Sequence, residues 1–317
     1  MLLVSPNPLA GIGQVMNKYA ELLNGTVVRV EDNTVDYKDQ EVFAFALPLP
    51  EWIEKLKQIK KVAKSVVCMC VCETETVHPS HEHLFRLFNY VAVPSQFCAD
   101  VFSKQFPFTE FVVIRHWENI PKSIESKSNP DRPYTFYHIG NVMDDRKQIK
   151  GVVYAFKELK LPGARLLLKA TCKQNVRSTD ENVVIINGLL PPEHLERIHT
   201  TGDCYVSFSC SEGVGMGAVE AALRDKPVII TDYGGAKEYV KTPYTIPCSR
   251  KCVGVNDFLY TGDMVWGDPS YEHLKMFMKQ AFEMNLRHMS HDHTRNLIDG
   301  ENITHQLRTL LEKSRVR

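Results

Sequence analysis

Short apolar runs alternate with amphipathic stretches along the whole chain. The short apolar runs predict strands, and the stretches with apolar residues three and four positions apart predict helices. In the first part of the chain, strands are predicted at MLLVSP, TVVRVE, EVFAFALP, SVVCMCVCE, YVAVPS and FVVIRH, and helices at IGQVMNKYAELL, SHEHLFRLF and QFCADVFSKQF. This order of elements is typical of βαβ units with parallel strands, and it predicts an α/β fold.

The alternation is interrupted once, by the polar segment at 118–134, which contains three prolines and has no apolar periodicity. Such a composition indicates a linker. After it, runs such as TFYHIG, ARLLLKA, NVVIING, CYVSFSC and PVIITD restart the pattern. We therefore expect a first α/β domain at 1–122, a linker at 123–133, a second α/β domain at 134–300, and a last helix at 301–317 that crosses back to the first domain.

Length and charge narrow the class of protein. A chain of 317 residues can form two domains, each with its own core. Lys plus Arg equals Asp plus Glu, 38 each, and this balance argues against nucleic acid as the main partner. No apolar run approaches the roughly 18–20 residues that a membrane span needs, and the opening MLLVSPNPLAGIGQ has no charged region of a signal peptide. We expect a soluble cytoplasmic protein, with peripheral membrane contact left open.

The cysteines and histidines do not predict a metal site. Cys68, Cys70 and Cys72 alternate and therefore share one face of a strand, which suits small buried side chains better than zinc. Cys248 and Cys252 have no second ligand pair, and the histidines of HEH and HMSHDH lack a completing ligand set. The composition thus favours reduced cysteines in an intracellular chain, with no resident metal and no cofactor.

The segment SEGVGMGAVE (211–220) has three interpretations. Its glycines could serve only a tight turn between a strand and a helix. Gly213, Gly215 and Ala218, with Asp232 further on, could instead form a dinucleotide fingerprint. That fingerprint belongs to the first strand of its domain, whereas three or four predicted strands precede this loop. A carboxylate at Glu212 would repel a bare diphosphate but would accept hydrogen bonds from sugar hydroxyls. The segment favours a nucleoside diphosphate that carries a sugar, with phosphate at the helix N-terminus.

The same segment resembles the E-x7-E region of retaining GT-B glycosyltransferases, especially those of family 4, the glycosyl transferases of group 1. Glu212 and Glu220 match its two glutamates, and Pro227 and GGAKE (234–238) match the residues that follow. Val214 replaces a frequent phenylalanine, and Asp225 replaces a glycine. The resemblance implies two Rossmann-like domains facing across a cleft. It further implies that Glu212 acts at the sugar, that Glu220 binds the ribose, and that the donor lies against Gly213, Val214, Gly215 and Met216.

Upstream, YHIGNVMDDRKQIKG resembles the family segment in which an arginine and a lysine six residues apart bind the donor diphosphate. Lys147 has the required spacing, but Asn141 stands where the arginine is expected, and Arg146 is the candidate substitute. A different register would use Lys150 instead. The resemblance also makes Leu189 a contact to the nucleobase.

The first domain matches the family less closely. Gly11 and Gly13 occupy the place of the family's first loop, where backbone approaches the donor, although an ordinary turn into a helix explains them equally well. Glu73 ends the strand that often carries an active-site histidine, and it is a candidate for catalysis on the acceptor side or a solvated loop carboxylate.

The resemblance implies a retaining transfer of a hexose from a UDP- or GDP-sugar to a hydroxyl of a glycan, lipid or protein-linked acceptor, in glycan biosynthesis and without a divalent metal. Two alternatives remain open. One is an NAD(P)-dependent oxidoreductase that uses the loop at 213–218. The other is a GT-B-like protein that binds a nucleotide or sugar without catalysis, which the asparagine at Asn141 would favour.

Overall fold

The computed structural model describes residues 1–6, 11–119, 132–172 and 174–315. The chain divides into two compact units. The first contains the described residues of Met1–Asn119, Cys252–Val265 and Leu297–Arg317, and the second those of Ile120–Lys251 and Trp266–Asn296. Most of the predicted linker, 123–131, lies outside the described residues, while Arg132 and Pro133 belong to the second unit.

The first unit is built on a parallel six-stranded sheet with the order β2-β1-β3-β4-β5-β6. Chain order reverses between β1 and β3, as it does in doubly wound α/β sheets. The strands are β1 (Leu2–Ser5), β2 (Thr26–Arg29), β3 (Glu41–Phe45), β4 (Ser65–Met69), β5 (Tyr90–Val93) and β6 (Glu110–Val113).

The helices of this part of the chain pack amphipathic faces against the sheet. They are α1 (Gly11–Leu23), α2 (Pro50–Val62), α3 (His81–Phe85) and α4 (Gln96–Gln105). Helix α2 is absent from the elements predicted above, although it buries Trp52, Ile53, Leu56 and Ile59 at helical spacing. The prediction of a strand running to Glu73 is wrong at its end, because β4 stops at Met69 and the chain continues without ladder pairing.

The second unit is built on a parallel sheet with the order β12-β11-β10-β7-β8-β9. Its strands follow the doubly wound order of a dinucleotide-type fold, and the reversal falls between β7 and β10. The strands are β7 (Tyr134–Gly140), β8 (Ala164–Ala170), β9 (Val183–Asn187), β10 (Cys204–Ser207), β11 (Val228–Thr231) and β12 (Thr245–Ile246). Two further strands, β13 (Cys248–Cys252) and β14 (Val265–Pro269), pair as a separate small sheet.

Helices cover both faces of the second sheet. One face forms a continuous apolar core with α5 and α9, in which Phe136, Val152, Leu166, Val206 and Leu274 are fully buried. The helices in chain order are α5 (Ile149–Leu159), α6 (Pro192–Thr201), α7 (Met216–Leu223), α8 (Ala236–Tyr239), α9 (Tyr271–Glu283) and α10 (Asp292–Leu297).

The two compact units divide the chain at positions other than the expected domain boundaries. The expected second domain runs through 134–300, whereas Cys252–Val265 is grouped with the first unit. Within that unit, the backbone N–H of Glu75 donates to the carbonyl of Val265 at 2.9 Å. The last helix, α11 (Gly300–Lys313), also lies in the first unit, which already takes up the chain at Leu297. These are contacts between distant parts of the sequence, and local patterns do not record them.

The nine cysteines are all free thiols. Cys68, Cys70 and Cys72 are buried, as their alternation predicted. In the part of the chain that the structure describes, no helix is long and apolar enough to cross a membrane.

Candidate functional site

The candidate site lies where the strand order of the second sheet reverses. Strands β7 and β10 are parallel neighbours, with Phe136 opposite Cys204, and both end at the same edge. In open α/β sheets the crevice beyond such strand ends is the usual ligand site. The loop after β7 carries Arg146 and Lys147, and the loop after β10 carries Glu212. The fold thus brings together residues that lie 65 positions apart in the sequence.

Glu212 is the centre of a buried ionic cluster. Its side chain is 11% exposed, and Lys147 Nζ donates to its Oε1. Arg146 Nη1 lies 3.3 Å from Oε2, and the hydroxyl of Ser209 donates to Oε1 at 2.8 Å. Burial raises the pKa of the Glu212 carboxyl, but the charges of Lys147 and Arg146 outweigh it and hold the pKa at about 2. Glu212 is therefore a carboxylate at neutral pH, which can accept hydrogen bonds from hydroxyl groups.

Arg146 also ties the two loops together through backbone groups. Its guanidinium donates to the carbonyl of Ser211 at 2.5 Å, and its own carbonyl accepts from Cys210 N at 2.7 Å. Asp144 caps the short 3-10 turn Asp145–Lys147 by accepting from Arg146 N at 3.0 Å and pairs with Nη2 at 3.1 Å. These bonds fix the guanidinium beside Glu212, whereas Lys147 reaches Glu212 through its flexible side chain.

The glycines around Glu212 serve the backbone geometry of this loop. Gly215 has φ +73° and precedes the first residue of α7. Gly234 has φ +72°, and a Cβ there would lie 2.7 Å from the carbonyl oxygen of Glu212. The same carbonyl accepts from Gly235 N at 2.7 Å, so the GG pair of the GGAKE segment holds the backbone of Glu212 in place. Beyond the turn, the first N–H groups of α7 at Met216 face no helical acceptor and are suited to phosphate oxygens.

Glu220 lies on α7 and belongs to a second polar group. Its Oε2 is 3.3 Å from Nε2 of His199, and the other ring nitrogen of His199 is 3.0 Å from the hydroxyl of Tyr137. His199 and Tyr137 are buried, while the Glu220 side chain is 25% exposed. Burial lowers the pKa of His199, although the Glu220 carboxylate opposes that change. His199 and Ser209 were not predicted as site residues, because a single histidine or serine in the sequence carries no sign of its burial in the fold.

The other residues predicted for the second unit are more exposed. The side-chain oxygen of Asn141 accepts from Met143 N at 3.1 Å, which caps the turn after β7 and leaves the amide nitrogen for other contacts. Leu189 is 54% exposed in the loop after β9. Lys150, the lysine of the alternative register, lies on α5, where it lines an open depression of about 770 Å³ with Tyr154 and Tyr271. Lys147 rather than Lys150 contacts Glu212.

Three predicted site residues belong to the first unit. Gly11 and Gly13 lie in the first turn of α1, Gly11 exposed and Gly13 buried, and the loop at 7–10 that precedes them lies outside the described residues. Glu73 is partly buried and accepts a hydrogen bond of 2.5 Å from the hydroxyl of Tyr260. Tyr260 comes from the Cys252–Val265 segment, so the bond joins two distant parts of the same unit.

The position of the glycine loop and the contacts of Asp232 bear on the dinucleotide interpretation of residues 213–218. The glycine loop follows β10, which is the fourth strand of its sheet in chain order, and Asp232 is an exposed residue paired with Lys237 at 3.0 Å. Neither feature suits a dinucleotide fingerprint, in which the loop follows the first strand. Among the described side chains, no three His, Cys, Asp or Glu residues are grouped so that they could hold a metal ion.

Residues 119–245 match the family model described as glycosyl transferases group 1. The resemblance predicted from the sequence is thereby confirmed. No curated protein sequence matches the chain.

Solved structures similar to this chain share its fold at low sequence identity. A glycosyltransferase from Rickettsia africae ESF-5 is 14% identical, with a TM-score of 0.64 over 98% of this chain and 93% of its own. The lipopolysaccharide outer core galactosyltransferase WaaB is 10% identical, with a TM-score of 0.63 over 98% of this chain and 99% of its own. The pneumococcal O-GlcNAc transferase GtfA, in complex with UDP and GlcNAc, is 14% identical, with a TM-score of 0.60 over 87% of this chain but only 57% of its own. The predicted GT-B architecture is confirmed.

Proposed function

We propose that this chain, which has the GT-B fold and whose residues 119–245 carry the group 1 glycosyl transferase segment, is a retaining glycosyltransferase. It would move a hexose from a UDP- or GDP-sugar to a hydroxyl of a glycan, lipid or protein-linked acceptor. The observation that carries the proposal is the ionic cluster of Arg146, Lys147 and Glu212 at the strand-order reversal of the second unit.

The cluster supplies the charges that such a transfer needs. As the bond from the anomeric carbon to the diphosphate breaks, negative charge develops on the leaving oxygen, and cations fixed nearby stabilise it. Arg146 and Lys147 would take this role, with Arg146 held rigidly by Ser211 and Asp144. Glu212 would accept hydrogen bonds from the sugar hydroxyls and orient the sugar. Because side-chain cations and helix N–H groups provide the charge, the proposed reaction requires no divalent metal.

Glu220, which lies just beyond the first turn of α7, would bind the ribose. Its carboxylate is partly exposed and is oriented by His199, which is the arrangement a hydroxyl-binding group needs. Leu189, exposed beyond β9, would contact the base. Gly11, Gly13 and Glu73 remain candidates for donor and acceptor contacts from the first unit. The nine free thiols support a reducing, cytoplasmic location for a soluble or peripherally membrane-bound enzyme in glycan biosynthesis.

A binding panel followed by a turnover assay tests the proposal. The melting temperature is measured with UDP, GDP, their sugar derivatives, NAD and NADP, and we expect stabilisation by one nucleoside diphosphate and its sugar. The release of nucleoside diphosphate is then measured with sugar acceptors and with lipid-linked acceptors. The anomeric configuration of the product, read by NMR, reports retention. Stabilisation by NAD with no response to any nucleoside diphosphate would favour the oxidoreductase alternative instead.

Two matched variants test the site itself. Lys147→Ala should lower kcat/KM by about 10²–10³, as expected when a cation at the developing charge is lost. Lys150→Ala, three residues away on α5, serves as the control and should leave turnover near that of the wild type. Equal losses in both variants, or a loss only in Lys150→Ala, would overturn the assignment of the diphosphate to Lys147. Glu212→Gln should also lower turnover.

Asn141 caps a turn at the position where the family resemblance predicts an arginine, so one cation expected at the diphosphate is missing. This favours a second candidate function, binding without catalysis. A protein that binds a nucleoside diphosphate but releases none from any sugar donor would be a non-catalytic GT-B-like binder. Replacing Asn141 by Arg tests this, because a gain of turnover would trace the lost activity to the missing cation.

A further inference from the structure

Lys169 occupies an unusual position at the edge of the candidate site. It is the last but one residue of β8, and its Cα pairs with Ile139 of β7 on one side and Ile186 of β9 on the other. The next residue along β8, Ala170, pairs with Gly140, which directly precedes Asn141. Lys169 therefore lies at the carboxyl edge of the sheet, between the loop proposed for the diphosphate and the loop proposed for the base.

Most of the Lys169 side chain is buried, and its ammonium group has no protein partner in the described part of the chain. Lys169 is only 3% exposed, and within residues 1–6, 11–119, 132–172 and 174–315 its ammonium group makes no hydrogen bond and no ion pair. A buried charge without a partner is rare because its desolvation is costly, and lysines are almost never fully buried unless paired. An apolar side chain such as Leu167, two residues earlier, would fill this place at no such cost. The missing partner points to a ligand.

The electrostatic surroundings indicate what the partner is. Burial lowers the pKa of Lys169, and the carboxylate that opposes this change is that of Glu220. Glu220 already contacts His199 with one carboxylate oxygen. A ligand that meets Glu220 would thus offer hydroxyl donors to the carboxylate, and one that also meets Lys169 would have to offer oxygen acceptors to its ammonium group.

We propose that Lys169 binds the nucleoside part of the sugar donor, donating hydrogen bonds from its ammonium group to oxygen atoms of the ribose or the base. The proposal rests on the proposed function, because it takes Glu220 as the ribose contact. It adds a determinant of nucleotide binding on β8, a strand from which the sequence predicted no site residue. Among the described residues the Lys169 ammonium has no acceptor, and the bound nucleoside would supply acceptors to it.

Lys169→Met tests this inference because it keeps the length of the side chain and removes the charge. The affinity for whichever of UDP and GDP stabilises the wild type is measured by calorimetry on the apo protein. A lost hydrogen bond from a charged donor weakens binding by about 10- to 100-fold. The melting temperature of the apo variant should stay equal or rise, because the unpaired buried charge is gone. Arg165→Met, exposed on the same strand, is the control and should change neither quantity.

The opposite pattern marks a structural lysine. A Lys169→Met protein that melts lower than the wild type and binds the nucleotide with unchanged affinity would overturn the inference. Lys169→Gln, which keeps a neutral donor, should bind with an affinity between those of the wild type and the methionine variant.

Uridine or guanosine distinguishes nucleoside from phosphate as the contact. If Lys169 binds the nucleoside, Lys169→Met lowers the affinity for the free nucleoside and the affinity for the nucleoside diphosphate by the same factor. Loss of affinity for the diphosphate alone would place the ammonium at the phosphates and refute the nucleoside assignment. If the wild type binds neither UDP nor GDP, the proposed function itself is refuted. If the wild type binds one of them and Lys169→Met binds it equally well, only the inference about Lys169 is refuted.

Discussion

The ionic cluster at Glu212 makes the stability of the second unit depend on pH in a way that can be worked out from its geometry. The pKa of the Glu212 carboxyl falls from an ordinary value of 4.5 to about 2 in the folded protein. A carboxyl whose folded pKa is lowered stabilises the native state above its unfolded pKa, and this contribution disappears as the pH falls through the folded pKa. At about 1.4 kcal/mol for each pH unit, the full contribution is about 3 kcal/mol.

The perturbation is Glu212→Gln, which removes the titrating group and keeps the shape of the side chain. The free energy of unfolding is measured by urea denaturation at 25 °C for both proteins at pH 6 and at pH 3. The wild type should lose about 2 kcal/mol more than the variant between these values, since most of the Glu212 contribution is lost by pH 3. Other carboxyls titrate in both proteins, so the difference between the two losses isolates Glu212.

Glu181→Gln provides the matched control, because Glu181 is exposed in the same unit. The free energy of unfolding of Glu181→Gln should decrease between pH 6 and pH 3 by the same amount as that of the wild type, within the error of the measurement. If wild type and Glu212→Gln lost stability in parallel, the carboxyl would not be held by Lys147 and Arg146 as the structure has it. Such a parallel loss would show that Lys147 and Arg146 do not lower the pKa of the Glu212 carboxyl.

Three further predictions concern single residues. Asp203 is fully buried and is ion-paired with Arg132 and, at 2.9 Å, with Arg287. Asp203→Ala should therefore lower the free energy of unfolding, measured by urea denaturation, by about 3–5 kcal/mol, and an effect below 1 kcal/mol would contradict the buried pairing. Gly234→Ala should lower both stability and turnover, because its Cβ would approach the carbonyl oxygen of Glu212, whereas Gly254→Ala, with φ +77° and open space around its Cβ, should leave turnover unchanged. Glu220→Gln should weaken nucleoside diphosphate binding by about tenfold in calorimetry, and unchanged affinity would remove Glu220 from the ribose contact.

The sequence predicted the α/β class because a parallel sheet leaves a strong local pattern. Strands buried on both faces appear as short apolar runs, and the helices between them keep helical spacing. The order of strands leaves no such pattern, and the reversal between β7 and β10 appears only when the sheet is assembled. The grouping of Cys252–Val265 with the first unit was missed for the same reason.

The sequence predicts those site residues that stand in a recognisable sequence pattern, and it does not predict those that only the tertiary fold brings to the site. Glu212 and Glu220 stand beside glycines at a fixed spacing, so their positions carry a recognisable pattern. His199 and Ser209 bond to these glutamates only through the tertiary fold. Lys169 left one signal that could have been used, a lysine within the apolar run ARLLLKA, because an interior strand position rarely carries a charge without a partner.

The charges along the strand ends of the second sheet give the proposed donor a direction. Arg146 and Lys147 supply two cations in the loop after β7, with Asp144 and Glu212 as their carboxylate partners, and these cations would meet the diphosphate at the reversal of the strand order. Lys169 and Glu220 have no net charge together and offer both donors and acceptors, which suits the neutral nucleoside. Because β8 and β9 lie on the far side of β7 from β10, the nucleoside would extend towards Leu189. A dinucleotide whose ribose contacts Asp232 would extend in the opposite direction, towards the end of β11. There the Asp232 carboxylate is already paired with Lys237.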